Sequence, residues 1–556
     1  MNTQYAVSPV TFQTITATKV LFVWIFGVLF TGCQSTPPLD KGLVGHWPLS
    51  ENFDDISGYG QNALSQGNLS IQNNSAVFNG LDAWLQVPMN TTLDASDYSI
   101  SVRINAADAS DDAPGDILSM YHSDSRQGFQ LSLKTNYVTT SQANYRQLMF
   151  GIDDNYQSGW IDCGKPGNAL LAFSMVDFQG NLYAGTCEPG VQEFGHVYRY
   201  EGDQKWIDCG SPDRSNSVMA MAEYENNLYA GTGHYRLGGS SLPDSENQNP
   251  GGQIFRYEGA DRWISCGQLP DVTTIGGMVV YKGDLYASSL YSPGFFRYDG
   301  GTNWIDCGTP FGKRVVALAV FNDYVYATSY DNGNVYRYDG KTWEDCGPVG
   351  ENTQTYSFIP YQGKLYTATW PSGRVYRFEG INRWKDVGRL GEELEVMGMV
   401  VQNGRFLGGT LPLAEVYSYE GDTTWIRIEQ LDKTPDVRYR RAWTMAEHDG
   451  RVFCSTLPSG NIYAYESGKS VAWGKTFPSD WHHVVATKTD NRISLFVDGQ
   501  RVSEKELPAG VDFRLSEEIP LQIGLGSNDF FKGQLKDLRL YNRNLSQEEI
   551  NTLSHE

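Results

Sequence analysis

The sequence predicts an all-β protein, a seven-bladed β-propeller inserted into a β-sandwich, and three observations carry that expectation. Three short motifs each recur seven times through the middle of the chain. The segments on either side of the repeats carry half-buried strand patterns, too few on each side to make a sandwich alone. The composition, 59 Gly and 13% aromatic residues in 556, suits many short strands joined by tight turns.

The N-terminal stretch reads as a processing signal. Lys19 precedes the apolar run of residues 20–30, followed by Thr31, Gly32 and Cys33. The thirteen residues from 20 to 32 are short for a membrane span and suit a signal h-region. Small residues directly before Cys33 resemble a bacterial lipobox, with Phe30 where leucine is usual. The resemblance implies lipidation of Cys33 and an exported protein on the bacterial outer membrane or cell surface. The alternatives are an uncleaved anchor or a plain secretory signal. Residues 1–33 are assigned to the signal and residues 34–42 to a tether.

The repeats come next. Trp-Ile-Asp-Cys-Gly begins at Trp160 and returns in variant form at Trp206, Trp263, Trp304, Trp343, Trp384 and Trp425. A Leu-Tyr-Ala-Gly-Thr strand starts at Leu182 and has counterparts at Leu228, Leu285, Val325, Leu365, Phe406 and Val452. A Val-Tyr-Arg-Tyr strand starts at Val197 and is echoed at Ile254, Phe295, Val335, Val375, Val416 and Ile462. Spacings near 40 residues with four strands per unit mark a propeller. The first Trp motif has no inner strands before it, and the last inner strands have no Trp motif after them. Trp160 is therefore expected to complete the blade of residues 443–465, which leaves no edge open at the closure. The inner strands carry small residues such as Ala220, Gly276, Gly277, Ala317 and Gly398, as a ring narrowing toward its axis requires. Cys163, Cys209, Cys266, Cys307 and Cys346 share one repeat position that Val387 fills elsewhere, so they read as small buried hydrophobes.

The flanks are Leu43-Val-Gly-His-Trp, Ala76-Val-Phe-Asn-Gly and Tyr98-Ser-Ile-Ser-Val before the repeats. After them come Trp481-His-His-Val-Val-Ala, Ile493-Ser-Leu-Phe-Val-Asp-Gly and Gly533-Gln-Leu-Lys-Asp-Leu-Arg-Leu-Tyr. Together they resemble the laminin-G-like, concanavalin A-type jelly roll. The resemblance implies two packed antiparallel sheets and carbohydrate or protein binding, and it does not imply catalysis. The sandwich is assigned to residues 43–153 and 471–556, the propeller to residues 154–470. Some sandwiches of this kind hold calcium, for which Asp54, Asp55 and Asn62 are the candidates; no other cofactor is expected.

A formal charge of −22 excludes bulk binding to nucleic acid or anionic membrane, so contact with membrane is expected only through the N-terminal anchor. Propeller ligands gather at the axial mouth, where loops from strands two to three and four to one meet. Two of the two-to-three loops are longer than the rest, residues 187–196 and 233–253, and the second carries His234, Tyr235 and Arg236. The ring of first inner-strand positions is Leu171, Ser217, Thr274, Arg314, Gln354, Glu395 and Arg441, with Arg438 nearby; Tyr330 and Trp370 add aromatic faces. Aromatic rings stack on sugars, and arginine clamps a carboxylate or sulfate. Arg314, Tyr330, Gln354, Trp370, Glu395, Arg438 and Arg441 are therefore the glycan-binding candidates. A plain structural alternative is that Arg314 and Glu395 pair across a solvated rim.

Three functions fit. The favoured one is non-catalytic capture of extracellular polysaccharide or glycoconjugate. The second is a polysaccharide lyase, since some lyases acting on uronate polymers use seven-bladed propellers with His or Tyr as acid or base and Arg on the carboxylate. His234, Tyr235 and Arg236 supply those residue types. The third is a protein-interaction scaffold.

Overall fold

The computed structural model describes residues 39–88, 96–106, 114–513, 515 and 519–556, with backbone alone at 136, 137 and 142–145. Cys33 and its apolar run lie outside the described residues. Among the described residues the chain is almost wholly β, with one α-helix, Gln547–His555, near its C-terminus. Ser546 caps that helix in a reciprocal box with Glu549.

The repeats form a propeller-like arrangement of antiparallel sheets. Five sheets have four strands each and one has eight. In the eight-stranded sheet, the run from Leu171–Phe178 to Trp206–Asp208 meets the run from Ser217–Tyr224 to Trp263–Gln268 through the single pairing of Cys187 with Ser217. The strand Ile161–Asp162 pairs with Ile462–Tyr465, so a segment entering from the N-terminal flank completes the sheet built on Arg441–His448.

The Trp motif is a strap between successive repeats. The indole Nε1–H of Trp206 donates to the Cys163 carbonyl at 2.9 Å, that of Trp263 to Cys209 at 2.8 Å, and that of Trp304 to Cys266 at 2.8 Å. Trp343 reaches Gly308, Trp384 reaches Cys346 and Trp425 reaches Val387 in the same way. The acceptor is a backbone carbonyl, which explains why valine can replace cysteine there. Cys163, Cys209, Cys266 and Cys346 are buried and Cys307 is half-buried; all five are free thiols.

The flanking segments interleave. One sheet runs Ser70–Gln72, Ser75–Asn79, Lys532–Tyr541, Tyr98–Ala106, His482–Thr489, Arg492–Val497, Gln500–Glu506, with Leu43–Trp47 also on Lys532–Tyr541. The other runs Leu64–Gln66, Trp84–Val87, Leu521–Ile523, Gly115–His122, Gln127–Tyr137, Gln142–Gln157, Ser467–Thr476. Both draw strands from before and after the repeats. One core that includes Trp47, Tyr98, Phe129, Phe150 and Phe531 lies between them. Pairing extends to Gln157 and resumes at Ser467, so the crossings fall a few residues inside the expected 153 and 471.

This two-sheet body meets the propeller on the face of the one-to-two turns. Arg405 pairs with Asp153 at 3.1 Å, Lys134 with Glu447 at 2.6 Å, and the backbone N–H of Gln362 donates to Ser527. A hairpin turn, residues 138–141, goes further and enters the axis. The Thr139 N–H donates to Thr444 Oγ1 at 3.2 Å and its hydroxyl to the Trp443 carbonyl at 2.9 Å. The Leu318 N–H donates to the Thr140 carbonyl, and the Met278 N–H to Ser141 Oγ at 3.2 Å. Gly277 gives the turn its room: a Cβ there would sit 2.2 Å from the Thr140 carbonyl oxygen.

Candidate functional site

The mouth lies at the other end of the inner strands. Alternation along a strand points residues i and i+2 to one side, and residues near the start of several inner strands line the mouth. They are Gln354 and Tyr356, Glu395, and Arg441 and Trp443, with Phe173, Met219 and Gly276 from three further strands. Loop residues Tyr235, Arg236, Tyr291 and Tyr330 close the sides, and Thr140 of the inserted hairpin forms the floor. The result is a cavity of about 280 Å³.

The long loop after the strand Asn227–Gly233 is folded against the mouth. It forms a short 3₁₀ turn at Leu237–Ser240. Tyr235 is buried edge-to-face against Phe173 at 4.7 Å and Trp443 at 6.1 Å, with its hydroxyl 2.7 Å from Ser240 Oγ. Farther along, Asn247 donates to the carbonyls of Glu193 and Arg214 and ties the loop to its neighbours. Residues 240–250 are thus docked on the propeller beside the site, to which the loop contributes Tyr235, Arg236 and Gly239.

Electrostatics are set by three groups. Arg441 and Glu395 are buried together, with Nε 3.2 Å from Oε1. Arg441 also donates to Ser240 Oγ at 2.8 Å and lies over the Trp443 ring at 5.2 Å. Arg236 is exposed, stacks over Tyr291 at 4.3 Å and has no ion pair among the described residues. Burial pushes the phenols of Tyr330 and Tyr356 well above the ordinary tyrosine range, and the nearby Glu395 carboxylate adds to it. They are hydrogen-bonding groups rather than bases at neutral pH. The Trp443 indole N–H is buried with no partner among the described residues.

The structure gathers Tyr235, Arg236, Tyr330, Gln354, Glu395 and Arg441 in this lining. The other expected residues stand apart from it. Arg314 is held by Asp331 at 2.7 Å, so it does not pair with Glu395 across the rim. Trp370 packs half-buried on the propeller core, and Arg438 is exposed and lies over the Tyr439 ring at 4.8 Å. His234 is half-buried beside the mouth and outside the lining; burial and the charge of Arg236 lower its pKa. Tyr235 and Arg236 thus share the lining, and His234 does not join them there. Tyr291, Tyr356 and Trp443 were not anticipated; stepping two residues inward from Gln354 and Arg441 finds the last two.

Among the described residues no group of three or more His, Cys, Asp and Glu side chains is placed to hold a metal ion. Asp55 accepts from the N–H groups of His46, Ser57 and Gln61 and from the Ser57 hydroxyl, all within 3.0 Å. The Asn62 side-chain oxygen accepts from the Asp55 N–H, and the Asp54 N–H donates to Asn52. These hydrogen bonds fold the loop of residues 52–62 on itself.

Among solved structures, the WD40 β-propeller domain of Doa1 aligns at 9% identity over 56% of this chain and 97% of its own, with a TM-score of 0.39. A Trypanosoma rangeli sialidase in complex with the inhibitor DANA aligns at 14% identity over 69% and 94%, with a TM-score of 0.28. A putative gluconolactonase aligns at 9% identity over 56% and 94%, with a TM-score of 0.33. No curated protein matches the chain. Residues 423–551 match the family model of the concanavalin A-like lectin/glucanases superfamily, so the chain carries a concanavalin A-like domain there, beginning in sequence among propeller strands and ending in the two-sheet body.

Proposed function

We propose that this is an exported glycan-binding protein whose propeller mouth holds the sugar. The observation that carries the reading is the lining itself: Tyr235, Tyr291, Tyr330, Tyr356 and Trp443 around one cavity with Arg236 and Arg441. Aromatic faces stack against pyranose rings, and arginine forks carboxylate or sulfate oxygens. The concanavalin A-like match is compatible with carbohydrate binding. In this reading the propeller has seven blades, the eight-stranded sheet counting as two joined at Cys187 and Ser217. The domain it is inserted into is the laminin-G-like sandwich of the flanking segments, and residues 1–33 are a lipoprotein-type signal with Cys33 the lipidated residue. Attachment of the sandwich to the turn face would leave the mouth open to extracellular polysaccharide.

The test is affinity electrophoresis of the mature chain through gels containing individual neutral, uronate and sulfated polysaccharides, alongside Tyr291→Ala. Retardation by at least one glycan, relieved in the variant, is expected. Free migration in every gel overturns the reading. Absorbance of uronate polymers after incubation separates capture from lyase chemistry: unsaturated product would establish catalysis.

A further inference from the structure

We propose that the mouth takes the end of an acidic glycan chain, one terminal sugar deep, and not an internal stretch of polymer. The inference rests on the glycan reading above and adds to it the mode of entry and the charge of the ligand.

The mode of entry follows from the shape of the lining. Residues from every sheet of the propeller surround the cavity, from Phe173 and Met219 through Gly276, Tyr330, Gln354 and Glu395 to Arg441. The axis, which would otherwise run through the ring, is stopped by the hairpin. Thr139, Thr140 and Ser141 are hydrogen-bonded to Trp443, Thr444, Leu318 and Met278, on three different inner strands. The site is a cul-de-sac with one way in. An internal sugar could reach the bottom only by bringing both its neighbours through the same opening. The volume, about 280 Å³, lies just below the roughly 300–1,000 Å³ usual for small-molecule sites. That is room for one sugar and its linkage.

The charge follows from what is neutralised. Glu395 offsets Arg441 within the lining. Arg236 at its wall has no ion pair among the described residues, and its guanidinium is already oriented by stacking on Tyr291. An anion beside it gains a forked, charge-assisted contact. The chain as a whole carries a formal charge of −22, so a polyanion laid along its surface would be repelled. Its end, by contrast, meets the Arg236 cation at the wall of the cavity. The unpartnered indole N–H of Trp443 is a further donor in the same lining.

The experiment is an array of neutral, uronate, sialylated and sulfated glycans probed with the mature chain. The best binder is then titrated calorimetrically as free oligomers of increasing length. The expected result is an acidic ligand bound at one protein per chain at every length, with Arg236→Ala at least tenfold weaker. Arg236 is exposed, so that variant should fold as the parent does, checked by its unfolding temperature. A stoichiometry that rises with chain length overturns end-binding and leaves the glycan reading standing. A neutral best ligand, or an unchanged Arg236→Ala affinity, overturns the acidic specificity. Silence across the whole array overturns the glycan reading itself and this proposal with it.

Discussion

Arg405→Met should uncouple the propeller from the two-sheet body. The Arg405 side chain is 2% exposed and that of Asp153 is fully buried. Arg405 Nε donates to Asp153 Oδ2 at 3.1 Å and Nη2 to Asn155 Oδ1 at 3.0 Å. Methionine keeps the apolar stem and removes the cation. Stripping one partner from a buried ion pair costs about 3–5 kcal/mol, because the remaining charge is uncompensated. Protonation limits that cost. Burial pushes the Asp153 carboxyl up to about 6 even with the Arg405 charge opposing it. In the parent, the folded state therefore holds this proton more tightly than the unfolded chain does. The group's contribution to stability is full below its ordinary value of 3.8 and is lost as pH rises through 6. In the variant the carboxyl loses its counter-charge and takes up a proton more readily still. The cost should thus be largest near pH 8 and shrink toward pH 5. The pair Asp153→Asn with Arg405→Met, which buries no charge, should recover most of it. Urea denaturation followed by tryptophan fluorescence, on the parent, both single variants and the double at the two pH values, measures each term. A loss below about 1 kcal/mol at pH 8, an equal loss at both pH values, or a double variant as unstable as Arg405→Met would refute the argument.

Three further perturbations test other parts of the structure. Trp206→Phe removes the strap to the Cys163 carbonyl, whereas the Trp160 Nε1–H is buried with no partner among the described residues. By calorimetry Trp206→Phe should therefore cost about 1 kcal/mol more than Trp160→Phe, and equal losses would show that the straps add nothing. Burial pushes the Glu223 carboxyl up to about 7 against the hydrogen bond from Thr476, so its contribution is full below 4.5 and lost as pH rises through 7. Glu223→Gln should accordingly be more stable than the parent at pH 8, by up to about 3 kcal/mol, and should show no such gain at pH 4.5. Gly277→Ala should drive the hairpin from the axis and destabilise the protein by about 1–3 kcal/mol, the usual cost of overpacking; a neutral outcome in thermal unfolding would contradict the tight seat of Thr140.

What was legible in the sequence depends on whether its cause repeats. The Trp motif recurs because each strap needs an indole donor, and its position in every repeat announced a strand before any pairing was known. The partner of that donor is a backbone carbonyl, which leaves no trace in residue identity; cysteine, valine and glycine all serve at Cys163, Val387 and Gly308. The ring of first inner-strand residues was legible for the same reason, and it delivered Gln354, Glu395 and Arg441 to the mouth. It also delivered Arg314, which the local carboxylate of Asp331 holds away; pairing with a loop neighbour is a choice of geometry that a repeat alignment does not contain. Tyr356 and Trp443 were one step from view, since the two-residue period places them beside Gln354 and Arg441. The hairpin of residues 138–141 was a harder case. Val-Thr-Thr-Ser has no signal of its own, and it lies in the segment that the repeats do not include. Its trace is on the other partner: Gly276 and Gly277 suit a ring narrowing toward its axis, and the missing side chain at Gly277 is also what admits the Thr140 backbone. A run of small residues facing an axis therefore asks what fills the axis. Here the filler comes from the body outside the propeller, so the floor of the mouth and the anchorage of the two bodies are one feature, and disturbing either should be felt by the other.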